Sequence, residues 1–109
     1  IWAVEPEHAA ILSGGAIGTH LQMGIGDGLI PAILNREIYN DIYIVTDEEA
    51  LQTAKSLAKK EGILCGISSG TNVAAALRLA KKLGPGKTVV TVLPDTAERY
   101  FSTPLFEDE

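Results

Sequence analysis

The chain holds one cysteine, one tryptophan and one methionine in 109 residues, and only 6% of it is aromatic. A single thiol, Cys65, leaves no intrachain disulfide to form and suits a reducing, cytoplasmic setting. No apolar run approaches the roughly 20 residues that a membrane-spanning helix needs. There is no secretory leader pattern and no glycosylation sequon. Positive charge is scarce too. Lysine and arginine number 9 against 14 acidic residues, a net charge of −5. Nucleic acid and anionic membrane both require basic patches, so neither is an expected partner. His8 and His20 have no ligand spacing to each other or to Cys65, so no metal site is expected. The chain opens without methionine, inside the apolar run Ile1-Trp2-Ala3-Val4. Complete domains usually begin in a loop, so the sequence reads as one piece of a longer polypeptide.

What is present is an alternation of apolar runs and amphipathic stretches. Residues 1–5 predict a buried strand closed at Pro6, and residues 42–45 a second strand. Between them, 7–13 suit a short helix, 13–28 a glycine-dense loop and 29–34 a helical turn. Loops longer than about 12 residues in compact domains are commonly functional. Thr46-Asp47-Glu48-Glu49 is a capping box, and Ala50, Leu51, Ala54, Leu57 and Ala58 form one apolar stripe behind it. Gly62 is the expected stop. Residues 63–66 suit a short strand. A second helix is predicted from Ser69 to Leu83, with Val73, Leu77 and Ala80 inward and Gly84-Pro85 ending it. Residues 89–93 read as a strand buried on both faces. This order defines an α/β fold with a parallel-rich sheet and flanking helices.

Several suggestive motifs fail on spacing. Gly24-Ile25-Gly26-Asp27-Gly28 lacks the third glycine of a dinucleotide fingerprint, and Leu29 stands in its place. The segment suits a flexible flap that can approach a ligand, or a plain turn. Gly84-Pro85-Gly86-Lys87-Thr88 has Lys81 where a phosphate loop needs glycine, and a strand is expected after it. Cys65 falls in a strand and reads as core. His20 reads as a hydrogen-bonding loop residue more readily than a ligand. No lysine sits in an apolar pocket fit for amine chemistry. Ser68 and Ser69 differ from all of these. At a strand-to-helix turn one serine can cap the helix while the other faces a ligand at the mouth of the sheet. The segment after Pro94 leaves the last strand at that same end.

In order, Val4-Glu5-Pro6, Ile11-Leu12-Ser13-Gly14-Gly15, His20 before Gly24-Ile25-Gly26-Asp27-Gly28, Glu61-Gly62-Ile63-Leu64, Gly66-Ile67-Ser68-Ser69-Gly70, Glu98-Arg99-Tyr100 and Ser102-Thr103 resemble the C-terminal part of the cysteine synthase (O-acetylserine sulfhydrylase) family. These are pyridoxal-phosphate enzymes of fold type II, the tryptophan synthase β-like group. The resemblance implies β-replacement of O-acetyl-L-serine by sulfide, giving L-cysteine and acetate. It implies that Ser68 hydrogen-bonds the cofactor's pyridine nitrogen, that Pro94 and Asp95 lie beside the ring, and that Gly24, Ile25 and Gly26 border the substrate. A serine hydroxyl and a positive helix end keep the ring nitrogen neutral, a moderate electron sink suited to this chemistry.

The family's Schiff-base lysine, asparagine-containing substrate loop and phosphate cup would precede Ile1. Residues 1–109 are therefore expected to be a C-terminal fragment with no catalytic residue of its own and no activity alone. A homodimeric, cytoplasmic parent is implied. Ala16 and Leu21 stand where basic residues help dock the tail of serine acetyltransferase in the family, which weighs against that partner. Competing readings are a cystathionine β-synthase-like lyase or an O-phosphoserine sulfhydrylase within the class and, outside it, a non-catalytic α/β interaction module.

Overall fold

The computed structural model describes residues 1–22 and 24–97. The motifs at Glu98-Arg99-Tyr100 and Ser102-Thr103 lie outside the described residues. Strands β1 (Trp2–Pro6) and β2 (Asp41–Val45) pair in parallel, with Trp2 opposite Asp41 and Pro6 opposite Val45. Trp2 and Tyr43 stack across them, ring centres 5.4 Å apart. The expected helix after β1 resolves into two single 3-10 turns, Glu7–Ala9 and Ile11–Ser13. Instead of a helical turn, residues 31–34 make one tight turn closed by the Leu34 N–H on the Pro31 carbonyl (3.0 Å).

Helix α1 (Asp47–Ser56) starts at Thr46, whose hydroxyl accepts the Glu49 N–H at 3.1 Å. The other half of the capping box is diverted. The Glu49 carboxylate accepts from the Tyr43 hydroxyl (3.1 Å) and pairs with Arg78 (3.2 Å), tying β2, α1 and α2 together on the surface. The predicted stripe continues through one wide π turn, Leu57–Glu61, and stops at Gly62, where φ is +68°. Helix α2 (Ile67–Leu83) ends at Gly84 as its pattern requires.

Two strand expectations are corrected. Residues 63–66 form only an isolated antiparallel bridge, Cys65 with Thr96. Residues 89–93 make no strand among the described residues: Val90 and Val92 are 84% and 66% exposed. A run apolar on both faces forms a strand only between covering layers, and the described sheet has two strands. The segment is held instead by the Asn72 amide donating to the Val92 carbonyl (2.9 Å).

The inward face of α2 also differs from expectation. Gly70, Thr71, Ala74 and Ala75 are buried, whereas Ala80 is exposed and Leu77 is 62% exposed. The reason is proximity. A Cβ added at Gly70 would meet the Ala50 carbonyl oxygen at 2.1 Å and Ala54 Cβ at 3.0 Å. Only a small-residue face fits so close a crossing.

Cys65 is core, as expected. Burial pushes its thiol above the ordinary value of 9.0, and the Asp95 charge adds to this. The folded state then holds this proton at pH values where the unfolded chain has released it. Its contribution to stability is therefore full below pH 9.0 and is lost as pH rises through the folded value. Thermal unfolding at rising pH should show a falling Tm from that point, and Cys65→Ala should remove this part of the fall. Tyr43, raised by burial and then by its bond to Glu49, accounts for a later part.

Candidate functional site

Helix α2 begins where the Cys65–Thr96 bridge ends. Gly66 is the N-cap, in extended conformation, and offers no side chain to the first-turn N–H groups. Neither serine is the cap, contrary to the expected start at Ser69. The Gly66 N–H and the Ser69 hydroxyl both donate to the Asp95 carbonyl, at 3.3 and 3.4 Å. This clamp starts the helix two residues early and leaves Ser68 inside the first turn. Ser68 is 4% exposed, and its hydroxyl bonds to no other described residue. The N–H groups beside it lack intrahelical acceptors, as in any first helical turn.

Asp95 is thus brought to the serine turn through its backbone, and it is half-buried, while Pro94 next to it is exposed. The glycine loop sits at the carboxyl ends of the strands. Gly24, Gly26 and Gly28 all have positive φ (87°, 63° and 77°). At Gly26 an added Cβ would lie 2.4 Å from Pro6 Cγ, so the loop rests on the end of β1. His20 serves the loop, as expected. Its Nδ1 accepts the Gln22 N–H (3.0 Å), so Nε2 carries the proton and donates to the Gly26 carbonyl (3.3 Å).

Two buried polar residues here escaped sequence reasoning. Glu5 is 5% exposed, and its carboxylate accepts from the Leu12 N–H (2.6 Å), the Ser13 N–H (3.2 Å) and the Ser13 hydroxyl (3.1 Å). A carboxylate just before Pro6 in an apolar strand was its only signal. Gln22, fully buried, joins the loop to Val45, Asp47 and Thr71. Nothing in its local sequence marks it.

The arrangement suits a ligand with a neutral or anionic acceptor atom. A buried hydroxyl whose proton is uncommitted among the described residues sits at the positive end of a 17-residue helix. Those features fit the pyridine nitrogen of a heteroaromatic cofactor. Lys81 and Lys82 are four turns along α2 from Ser68, about 20 Å at 1.5 Å per residue. Among the described residues there is no cluster of histidine, cysteine and carboxylates fit for a metal, and no helix long and apolar enough to cross a membrane.

The fold and this turn define a class. The chain belongs to the pyridoxal-phosphate dependent enzyme family, whose pattern matches residues 1–95. Within it, the chain is 54% identical over 106 residues to the cysteine synthase of Staphylococcus aureus strain Mu50, covering 97% of this chain and 34% of that protein. The fold is similar to O-acetyl serine sulfhydrylase isoform 3 of Entamoeba histolytica (TM-score 0.93, 41% identity, 97% of this chain and 32% of that one). It is also similar to the O-acetylserine dependent cystathionine beta-synthase of Helicobacter pylori (TM-score 0.91, 40% identity, 97% and 34%). The chain spans about a third of the length of the curated relatives it matches.

Proposed function

We propose that this chain is the ring-facing C-terminal part of a cysteine synthase, which exchanges the acetate of O-acetyl-L-serine for sulfide to give L-cysteine. The observation that carries this is the buried Ser68 hydroxyl, uncommitted among the described residues, at the start of α2. Bound pyridoxal phosphate supplies the electron sink for breaking and remaking the bond at the β-carbon. Ser68 would hold the ring nitrogen by a hydrogen bond from its hydroxyl, keeping its own proton, and the positive helix end would disfavour protonation of that nitrogen. The Asp95 carbonyl holds the turn through Gly66 and Ser69, and Pro94 would lie beside the ring. Gly24, Ile25 and Gly26 border the amino acid, with His20 fixing the loop's shape. The lysine that carries the cofactor, the carboxylate-binding loop and the phosphate cup come from the other two-thirds of a longer polypeptide.

Exposed Ile33, Val90 and Leu77 (96%, 84% and 62%) support that view, since apolar surface of this kind usually has a cover. The parent is proposed to be a cytoplasmic homodimer. With Ala16 and Leu21 in the loop, it is not proposed to bind serine acetyltransferase.

The likeness to an O-acetylserine dependent cystathionine beta-synthase favours a second reading, with homocysteine as the incoming thiol. The test is a product assay on the full-length polypeptide carrying this chain, given O-acetylserine with sulfide or with homocysteine. Cysteine and acetate from the sulfide reaction are expected, with the 109-residue chain alone inactive. Cystathionine as the main product would favour the second reading. No turnover with either thiol would favour a non-catalytic module.

A further inference from the structure

We infer that Gln22 is a positioning residue which, with Thr71, locks the glycine loop to the serine turn. The side chain is fully buried, and both amide protons and the amide oxygen are engaged. Its NH2 group donates to the Val45 carbonyl (2.9 Å) and to Asp47 Oδ1 (3.0 Å), and its oxygen accepts from the Thr71 hydroxyl (2.8 Å). The orientation is unique. A flipped amide would set its oxygen against two acceptors and leave Thr71 facing a donor. The Thr71 hydroxyl has one proton, and the Ile67 carbonyl lies farther off at 3.3 Å, so the proton goes to Gln22. Thr71 is three residues after Ser68, one turn along α2. The Gln22 backbone N–H is meanwhile held by His20, which also binds Gly26. One side chain therefore joins the loop, the end of β2, the start of α1 and the turn that carries Ser68. A shift of the loop cannot occur without moving one of these bonds.

The functional weight of this lock rests on the proposed role of residues 24–26 at the substrate. The test is peptide-resolved hydrogen exchange in the full-length polypeptide, for wild type, Gln22→Met, Thr71→Val and Thr71→Ser. Loss of buried hydrogen bonds should speed exchange about tenfold to a hundredfold in both 18–28 and 66–72. Residues 50–56 of α1 should be unchanged, and Thr71→Ser, which keeps the hydroxyl, should match wild type. Exchange that changes in the loop alone, or equally throughout the chain, overturns the inference. The Michaelis constant for O-acetylserine, measured on the same variants, separates the two proposals. Coupled exchange with unchanged kinetics would keep the lock and remove the loop from the substrate site.

Discussion

Gly70→Ala is expected to destabilise the protein by about 1–3 kcal/mol, the range of an overpacked core. The sign is what makes this informative. In a helix interior, alanine is better than glycine by about 1 kcal/mol. With room at position 70 the substitution would therefore stabilise. The new Cβ instead meets backbone: the Ala50 carbonyl oxygen at 2.1 Å and the Ala54 nitrogen at 3.0 Å. Neither atom can swing aside as a side-chain tip could, so α1 and α2 must part. Because Ala50, Ala54 and Ala74 all belong to the buried core, the strain falls on the core itself. Urea unfolding followed by circular dichroism checks this directly, with an unchanged or higher midpoint as the contrary result.

Ser68→Ala should behave in the opposite way, sparing the fold and damaging the site. The hydroxyl bonds to no other described residue, so removing it orphans no described protein partner. Alanine is also a better helix former than serine by a few tenths of a kcal/mol. Unfolding of the cofactor-free protein should move little in either direction. Cofactor affinity in the full-length polypeptide should fall about 5- to 150-fold, the equivalent of the 1–3 kcal/mol attached to one buried hydrogen bond. Equilibrium dialysis of pyridoxal phosphate against both forms measures it. A large loss of stability with unchanged affinity would make Ser68 a purely structural residue.

How far the sequence revealed this molecule depends on how local each feature is. Thr46, Gly62 and Gly84 act on their own neighbours, so the helix boundaries they set were legible, and so was the parallel α/β order. The start of α2 was not, because the cap depends on Asp95, whose carbonyl clamps Gly66 from 29 positions away. The buried face of α2 was misassigned because hydropathy favours leucine. The close approach of α1 instead selects Gly70, Ala74 and Ala75, leaving Leu77 outside. Residues 89–93 carry the apolar pattern of a central strand, but a pattern does not supply the neighbours a strand needs. Ser68 was legible as a surplus hydroxyl at a strand-to-helix turn. Gln22 was not, since its partnership with Thr71 spans 49 residues and no periodicity reports it.

The central contact of the proposed site is the one between Ser68 and the ring nitrogen. The most direct measurement is the 15N NMR shift of ring-labelled pyridoxal phosphate bound to the full-length polypeptide, in wild type and in Ser68→Ala. An unprotonated, hydrogen-bonded nitrogen in wild type, whose signal moves on loss of the hydroxyl, is the expected result. A protonated nitrogen, or a signal identical in both proteins, would place the ring elsewhere and contradict the account.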